Sequence, residues 1–463
     1  MLGRTKRVHF VGVGGSGMSA IAEVLIRLGY AVSGSDERPS AATERLKTLG
    51  LEFRAGHAPA HVGQADVVVI SSAVRPSNPE VVEAHRARIP VVGRADMLAE
   101  IMRPRFSIAV AGAHGKTTTT AMIALMLERA GLDPTAVIGG RLADFESNAR
   151  VGRSEYLVAE ADESDRSFLR LMPTMTVVTN IDREHLESYA GFDDLASAFA
   201  LFAAKVPFYG CAVLCVDDPH VRAIRARVGA RVVTYGVDSP DADVAAREMA
   251  LTAGGSRFAV VDRRHGHESD LGELALGVPG RHNVQNALAA VAVGLEIGLR
   301  FDLLAPGLAA FRGAERRFEP KGEAGGVRVV DDYGHHPTEI AAVLQAARIG
   351  HAGRIIVAFQ PHRYSRTEQL HDEFGPALAA ADAIVLTDIY AAGEDPLPGV
   401  TLERLAASVE RAAPGRVTIV RDVAGVPAAV ARLAGRGDLV LTLGAGSIGE
   451  AAPAILEEIR RCG

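Results

Sequence analysis

Two glycine-rich stretches, each joining an apolar run to a helical pattern, constrain this chain more than any other feature. The first is Gly12-Val13-Gly14-Gly15-Ser16-Gly17 and the second is Gly112-Ala113-His114-Gly115-Lys116-Thr117-Thr118. Glycines at a strand-to-helix junction permit a tight turn and let the backbone approach a ligand closely. The free N–H groups of the helix N-terminus then face an anion. In the first stretch any nucleotide diphosphate satisfies this physics, and so does a tight turn with no ligand at all. Asp36 closes the next predicted strand, where a carboxylate can accept ribose hydroxyls. The second stretch adds chemistry: Lys116 reaches phosphate oxygens and Thr117 offers a hydroxyl to a divalent cation. Val110 stands where the longer phosphate loop has its first glycine, so this loop is a shortened one. A dehydrogenase explains the first stretch and Asp36 but leaves Gly115-Lys116-Thr117 without a role. Two phosphate loops call for two different nucleotides.

At about 100–200 residues per domain, 463 residues predict two to four domains. Short apolar runs alternate with helical patterns, the mark of βαβ units and parallel sheets. Predicted strands cover 7–14, 31–36 and 65–73 in a first block, separated by helices near 17–28, 40–49 and 79–88. Pro104 precedes a fresh strand at 106–113. A second block carries strands at 154–161, 175–181, 212–218 and 231–236, then a Gly-rich, strand-poor insertion near 240–280 and an Ala-rich helix at 282–297. After Arg316 and Arg317, a third block carries strands at 327–333, 354–360, 383–390 and 438–446. The expectation is three α/β domains, 1–104, 105–318 and 319–463.

Fifty basic residues against 56 acidic ones, with no basic tract, argue against a nucleic-acid partner. Cys211, Cys215 and Cys462 are too few for a disulfide framework. The first two flank an apolar run and read as buried thiols. No apolar stretch approaches the roughly 20 residues of a membrane helix, and a cytoplasmic protein is expected. Monomer and homodimer are equally open.

Acidic and histidine-rich clusters close the predicted strands. Glu160-Ala161-Asp162-Glu163-Ser164-Asp165 and Asn180-Ile181-Asp182-Arg183-Glu184-His185 can supply ligands for Mg²⁺ beside the Lys116 loop, and a histidine ligand leaves room for Mn²⁺. Asp331-Asp332-Tyr333-Gly334-His335-His336 and Gln360-Pro361-His362-Arg363-Tyr364-Ser365-Arg366 end strands of the third block, where arginines suit capture of carboxylate or phosphate.

Together, GVGGSGMS at 12–19, AGAHGKTTTT at 111–120, EADESD at 160–165, GRHNVQNAL at 280–288, DDYGHHPTE at 331–339, FQPHRYSRT at 359–367 and DIYAAGE at 388–394 resemble the motifs of the Mur ligase family. The last three resemble the branch that adds a single L-alanine rather than the one that attaches a whole peptide. The resemblance spans nearly the whole chain, although many relatives have Thr where Ala113 stands. It implies a Rossmann-like N-terminal domain, a P-loop-type ATPase-like central domain and a Rossmann-like C-terminal domain.

The implied substrates are ATP, UDP-N-acetylmuramate and L-alanine, joined through an acyl phosphate in cell-wall precursor synthesis. By the same resemblance Gly14, Ser16, Gly17, Met18, Asp36 and Ser71 hold the UDP-sugar. Gly112, Ala113, His114, Gly115, Lys116, Thr117 and Thr118 hold the ATP phosphates, with His282, Asn283 and Asn286 at the adenine. Thr117, Glu160 and His185 bind the metal and Arg317 approaches the γ-phosphate. Tyr333, His335, Arg363 and Arg366 position alanine and the substrate carboxylate, and His335 is a candidate for orienting or deprotonating the ammonium. Sister ligases carry a carbamylated lysine, for which Lys205 is a conceivable counterpart and a plain surface lysine the alternative reading.

Overall fold

The computed structural model describes residues 2–142 and 147–462. They fall into two compact units, one of Met1–Glu248, Phe258–Leu274 and Gln285–Phe311, the other of Met249–Arg257, Ala275–Val284 and Arg312–Gly463. Three sheets run through them, matching the three expected α/β blocks.

The first sheet holds β1 (Arg7–Val11), β2 (Ala31–Asp36), β3 (Glu52–Ala55), β4 (Val67–Ile70) and β5 (Val91–Gly93), all parallel, in the order 3-2-1-4-5. Val8 and Phe10 enter one buried cluster and Val11 with Val68 another. Both faces are therefore covered, and β1 is buried from Val8 to Val11, His9 included. Strand order reverses at β1, and in open sheets a ligand crevice forms at such a point. The strand stops short of the expected residue 14 because Gly12, at φ +79°, turns the chain out of the sheet.

The second sheet comprises β6 (Phe106–Ala111), β7 (Thr135–Leu142), β8 (Ser147–Arg150), β9 (Tyr156–Glu160), β10 (Met175–Val178), β11 (Cys211–Cys215), β12 (Val232–Gly236), β13 (Val244–Thr252), β14 (Gly255–Asp262) and β15 (Ser269–Leu276). Their order is 15-14-13-12-11-10-6-9-7-8. β6 lies between β9 and β10, parallel to both, so the second glycine loop again leaves a strand at a reversal of order. The helix Lys116–Arg129 that follows is buried from Thr118 to Leu127. Cys211 and Cys215 are buried free thiols, as expected, and burial pushes both up to about 12. The side chain of Cys462 lies outside the described residues.

The stretch 240–280 corrects the sequence reading. It is not strand-poor: β13, β14 and β15 extend the sheet by three strands. In β14, Phe258 and Val260 are buried while Arg257 points outward. A strand with one wet face carries polar residues at every second position, so a search for unbroken apolar runs passes over it. The short strands β3, β5 and β8 escaped because of their length, and β7 because glycines and an arginine interrupt its apolar run.

The third sheet, in the second unit, holds β16 (Glu319–Ala324), β17 (Val327–Asp332), β18 (Ile355–Phe359), β19 (Ala383–Leu386), β20 (Val417–Ile419) and β21 (Leu439–Leu443), in the order 16-17-21-18-19-20. Only β16, at the edge, runs antiparallel to its neighbour. Val330, Val357 and Leu441 enter the core on one face and Val329, Ile356 and Val440 that on the other. Among the described residues no helix is long and apolar enough to cross a membrane.

Candidate active site

From Ala111 the chain turns through Gly112 and Gly115, at φ +145° and +80°, into the helix Lys116–Arg129. A Cβ on Gly112 would lie 2.0 Å from Thr179 Oγ1, and one on Gly115 2.8 Å from Asn286 Oδ1. Glycine is needed at both for space and for backbone angle. Residues beyond β10 clamp the loop. The His114 N–H donates to Asn180 Oδ1 (2.8 Å), while Asn180 Nδ2 (2.9 Å) and Thr179 Oγ1 (2.6 Å) both donate to the His114 carbonyl. The His114 ring lies 2.9 Å from Asp182 through Nε2. Ala113 takes part through its backbone N–H, bonded to the Asn180 carbonyl, so the hydroxyl and methyl that a threonine would add matter little. Thr118 is buried in the first turn.

Lys116 Nζ donates to the Gly112 and Ala113 carbonyls (2.6 and 3.2 Å) and to Glu163 Oε1 (2.7 Å). Burial works against its charge, but Glu163, Glu160 and Glu184 together outweigh that and hold the ammonium above its ordinary value. Burial pushes the Glu163 carboxyl up, against the pull of Lys116. Its second oxygen is buried and has no hydrogen-bond partner among the described residues. Thr117 Oγ1 donates to Glu160 Oε2 at 3.0 Å, so the structure brings these two expected metal ligands together. His185, at φ +56°, groups instead with Glu163 and Glu184, ligand atoms of all three lying within 4.8 Å of one another. Asn286 accepts a hydrogen bond from Thr119 Oγ1 behind the loop. Lys205 lies just past the helix Phe192–Ala203.

At the first loop, Asp36 Oδ2 accepts the Gly14 N–H and Oδ1 accepts the Glu37 N–H, each at 2.8 Å. Each carboxylate oxygen keeps a lone pair for a hydroxyl. Ser71, at the end of β4, faces Gly12: a Cβ there would lie 4.0 Å from its Oγ. Ser16 opens the helix Ser16–Arg27 and Met18 is buried within it. Gly17 is covered by Arg94, whose Nη1 would lie 2.7 Å from an added Cβ and whose Nη2 donates to Asp162 (2.8 Å). Below the loop, Glu80 is fully buried. His9 Nε2, Ser35 Oγ and His61 Nδ1 lie within 3.0 Å of its carboxylate, and His57 Nδ1 at 3.3 Å. Burial opposes the charge, but those hydrogen bonds prevail and bring Glu80 down to about 2.

In the second unit the residues that follow β17 and β18 meet. Ring centroids run from Tyr333 to His335 (5.4 Å), His362 (5.6 Å) and Tyr390 (5.6 Å). The guanidinium of Arg317 lies 5.1 Å from the Tyr333 ring and 3.6 Å from Glu339. Arg366 donates to His362, and Arg363, at φ +71°, stands 4.0 Å from Glu394. His335 Nδ1 is 3.0 Å from the Tyr333 carbonyl. Asp332 accepts the Phe318 and Gly334 N–H groups (both 2.7 Å), and burial, opposed by Arg317, raises it to about 6. His282 is pushed down to about 4 by burial and the Arg317 charge, which leaves a neutral imidazole at pH 7. Asn283 Nδ2 donates to the Pro279 carbonyl (2.7 Å).

Models of the Mur ligase family catalytic domain, the Mur ligase middle domain and the Mur ligase glutamate ligase domain match residues 7–106, 110–294 and 316–446. The UDP-N-acetylmuramate–L-alanine ligase of Geobacter sp. (strain M21) is 52% identical, over 99% of both chains. That of Geobacter sulfurreducens is 51% identical over 100% of both. The chain belongs to the Mur ligase family. The crystal structure of UDP-N-acetylmuramate-alanine ligase from Thermotoga maritima superposes with a TM-score of 0.82 at 29% identity, covering 99% of this chain and 100% of that one. A murein peptide ligase from Psychrobacter arcticus shares the fold, with a TM-score of 0.71 at 24% identity over 98% and 99% of the two chains.

Within this Mur ligase, four residues near the loops stood outside the expected set: Glu163, Glu184, Asn180 and Arg94. The first three lie in stretches that the sequence reading had marked as acidic strand ends, but not which side chain turns inward. Arg94 carried no signal, because its role comes from the approach of a distant helix to Gly17.

Proposed function

We infer that this Mur ligase is an ATP-dependent enzyme joining L-alanine to the lactyl carboxylate of UDP-N-acetylmuramate, with ADP and phosphate as the other products. The reaction belongs to peptidoglycan precursor synthesis and we place it in the cytoplasm. The observation that carries the reading is full-length similarity at about half identity to ligases of that name. The Lys116 loop supports it, because that loop has the parts needed to handle a phosphoryl group.

A carboxylate resists attack by an amine, so it is first converted by the ATP γ-phosphoryl group into an acyl phosphate. The neutral amine of alanine then adds to the acyl carbon, and the tetrahedral intermediate expels phosphate. Lys116 and the N–H groups of Thr117 and Thr118 stabilise charge on the transferring phosphoryl group. Gly14, Ser16, Gly17, Met18, Asp36 and Ser71 hold the UDP-sugar, and His282, Asn283 and Asn286 the adenine end of ATP. Arg317 meets the γ-phosphate. Tyr333, His335, Arg363 and Arg366 position alanine and the substrate carboxylate, with His335 the candidate for orienting or deprotonating the ammonium.

Mg²⁺ fits the donors present: the Thr117 hydroxyl with Glu160, and the separate group of Glu163, Glu184 and His185, are hard and oxygen-rich, and His185 also admits Mn²⁺. When bound there, the cation supplies charge neutralisation for the phosphates.

The test is phosphate release from ATP with Mg²⁺ and UDP-N-acetylmuramate, with L-alanine or with an alanyl tripeptide. Alanine-dependent release is expected. Release with the peptide alone reassigns the enzyme to the peptide-attaching branch, and none with either acceptor overturns the ligase reading.

A further inference from the structure

The two phosphate loops leave different sheets, yet one strand touches both. β7 packs against the helix Ser16–Arg27 and against the helix Lys116–Arg129. One of its residues, Gly139, is hydrogen-bonded in both directions. The Gly139 carbonyl accepts a hydrogen bond from Ser16 Oγ at 2.6 Å, and its N–H donates to Glu160 Oε2 at 2.8 Å. The same Glu160 oxygen accepts from Thr117 Oγ1 at 3.0 Å. An unbroken path of three hydrogen bonds thus runs from the first residue of one helix to the second residue of the other.

Packing shows how closely this path is built. A Cβ on Gly139 would lie 2.6 Å from Glu160 Oε2 and 2.8 Å from both Oε1 and Cδ, and one on Gly140 would lie 3.3 Å from Thr117 Cγ2. The strand backbone therefore lies directly against the carboxylate. On the other side Asn148, in β8, donates through Nδ2 to the Ser16 carbonyl (2.7 Å) and to Ser19 Oγ (3.2 Å), so Ser16 is held from both strands of the β7–β8 pair. Ser16 sits where a pyrophosphate would reach the first loop. An anion there competes for its hydroxyl, and the other end of the path feels the change.

We propose that Gly139 is a positioning residue that couples the UDP-sugar loop to the ATP loop, through Ser16 on one side and the orientation of Glu160 on the other. This rests on the site assignments above. Coupling of this kind is a ratio of affinities and must be equal in both directions. It makes phosphate binding at the second loop responsive to whether the acceptor carboxylate has arrived.

The test is calorimetric titration of the full-length enzyme with AMP-PNP and Mg²⁺, with and without saturating UDP-N-acetylmuramate. UDP-N-acetylmuramate is expected to change AMP-PNP affinity about tenfold in the wild type. Ser16→Ala is expected to bring that ratio toward one and Ser16→Thr to restore it. Gly139→Ala is expected to abolish the ratio while still binding UDP-N-acetylmuramate. A merely structural role would lower both affinities and leave the ratio intact. A wild-type ratio of one, or a wild-type ratio preserved in both Ser16→Ala and Gly139→Ala, overturns the coupling while leaving the site assignments standing. Absence of any saturable UDP-N-acetylmuramate binding by the wild type overturns both.

Discussion

The two glycine loops are built alike and equipped differently. Each leaves a strand where the sheet order reverses, and each ends in a helix N-terminus. Around Gly12–Gly17 the fixtures are hydroxyls, the Arg94 guanidinium over Gly17 and one carboxylate, Asp36, bonded to backbone N–H groups. Around Gly112–Gly115 a half-buried ammonium stands among three glutamates, and the loop carbonyl is clamped by Thr179 and Asn180. A site that only grips a diphosphate can rely on fixed N–H groups. A site that passes a phosphoryl group on must also manage charge that changes during the reaction. On the proposed function, the first loop holds and the second reacts.

Lys116→Ala gives the sharpest cut through that comparison: turnover falls by about 10³-fold, while UDP-N-acetylmuramate binding, measured by calorimetry, stays as in the wild type. Equal damage to both would erase the distinction. Next comes Glu80, under the first loop. Its carboxyl is depressed from 4.5 to about 2, so the stability it contributes is present above pH 4.5 and is lost as pH falls toward 2. The size is about 3 kcal/mol, read as the fall in unfolding free energy between pH 4.5 and 2, and Glu80→Gln should flatten that dependence. Glu163, beside the second loop, shifts the opposite way and adds no such acid lability.

The glycines give a smaller contrast. In Gly112→Ala the new methyl meets Thr179 at a left-handed φ, which should destabilise by about 2–3 kcal/mol in urea unfolding. Gly14→Ala meets only the Asp36 carboxylate and the Ser40 hydroxyl, side-chain ends that can swing, and about 1 kcal/mol is expected. Asp36→Asn is smallest. It keeps an acceptor for the Gly14 N–H, and UDP-sugar affinity should weaken by no more than about tenfold, the equivalent of one charged hydrogen bond.

Much of this contrast could be read from residue order. Buried parallel strands such as β1 and β6 are mostly apolar, and Lys116 and Thr117 announce phosphate chemistry because few other uses need that sequence after a strand. What escaped was whatever depends on a second segment folding back. β13–β15 hid behind their wet face, and Gly139 is a plain glycine until Ser16 and Glu160 are seen on either side of it. Asp36 was legible as a carboxylate near the loop, but its bond to Gly14 was not. The Glu80 hub draws on His9, Ser35, His57 and His61, from separate elements, and no spacing rule joins them.

The pairing of Lys116 with Glu163 has a consequence for product departure. A phosphate arriving at the loop finds the ammonium already partnered at 2.7 Å, so it must exchange one anionic neighbour for another rather than meet a bare cation. The exchange is reversible. As ADP leaves, Glu163 is in place to reclaim the lysine, and the gain from electrostatic attraction is smaller than an unpaired Lys116 would give. A loop arranged this way holds its nucleotide less tightly than it could, and its turnover is the faster for it wherever release limits the cycle.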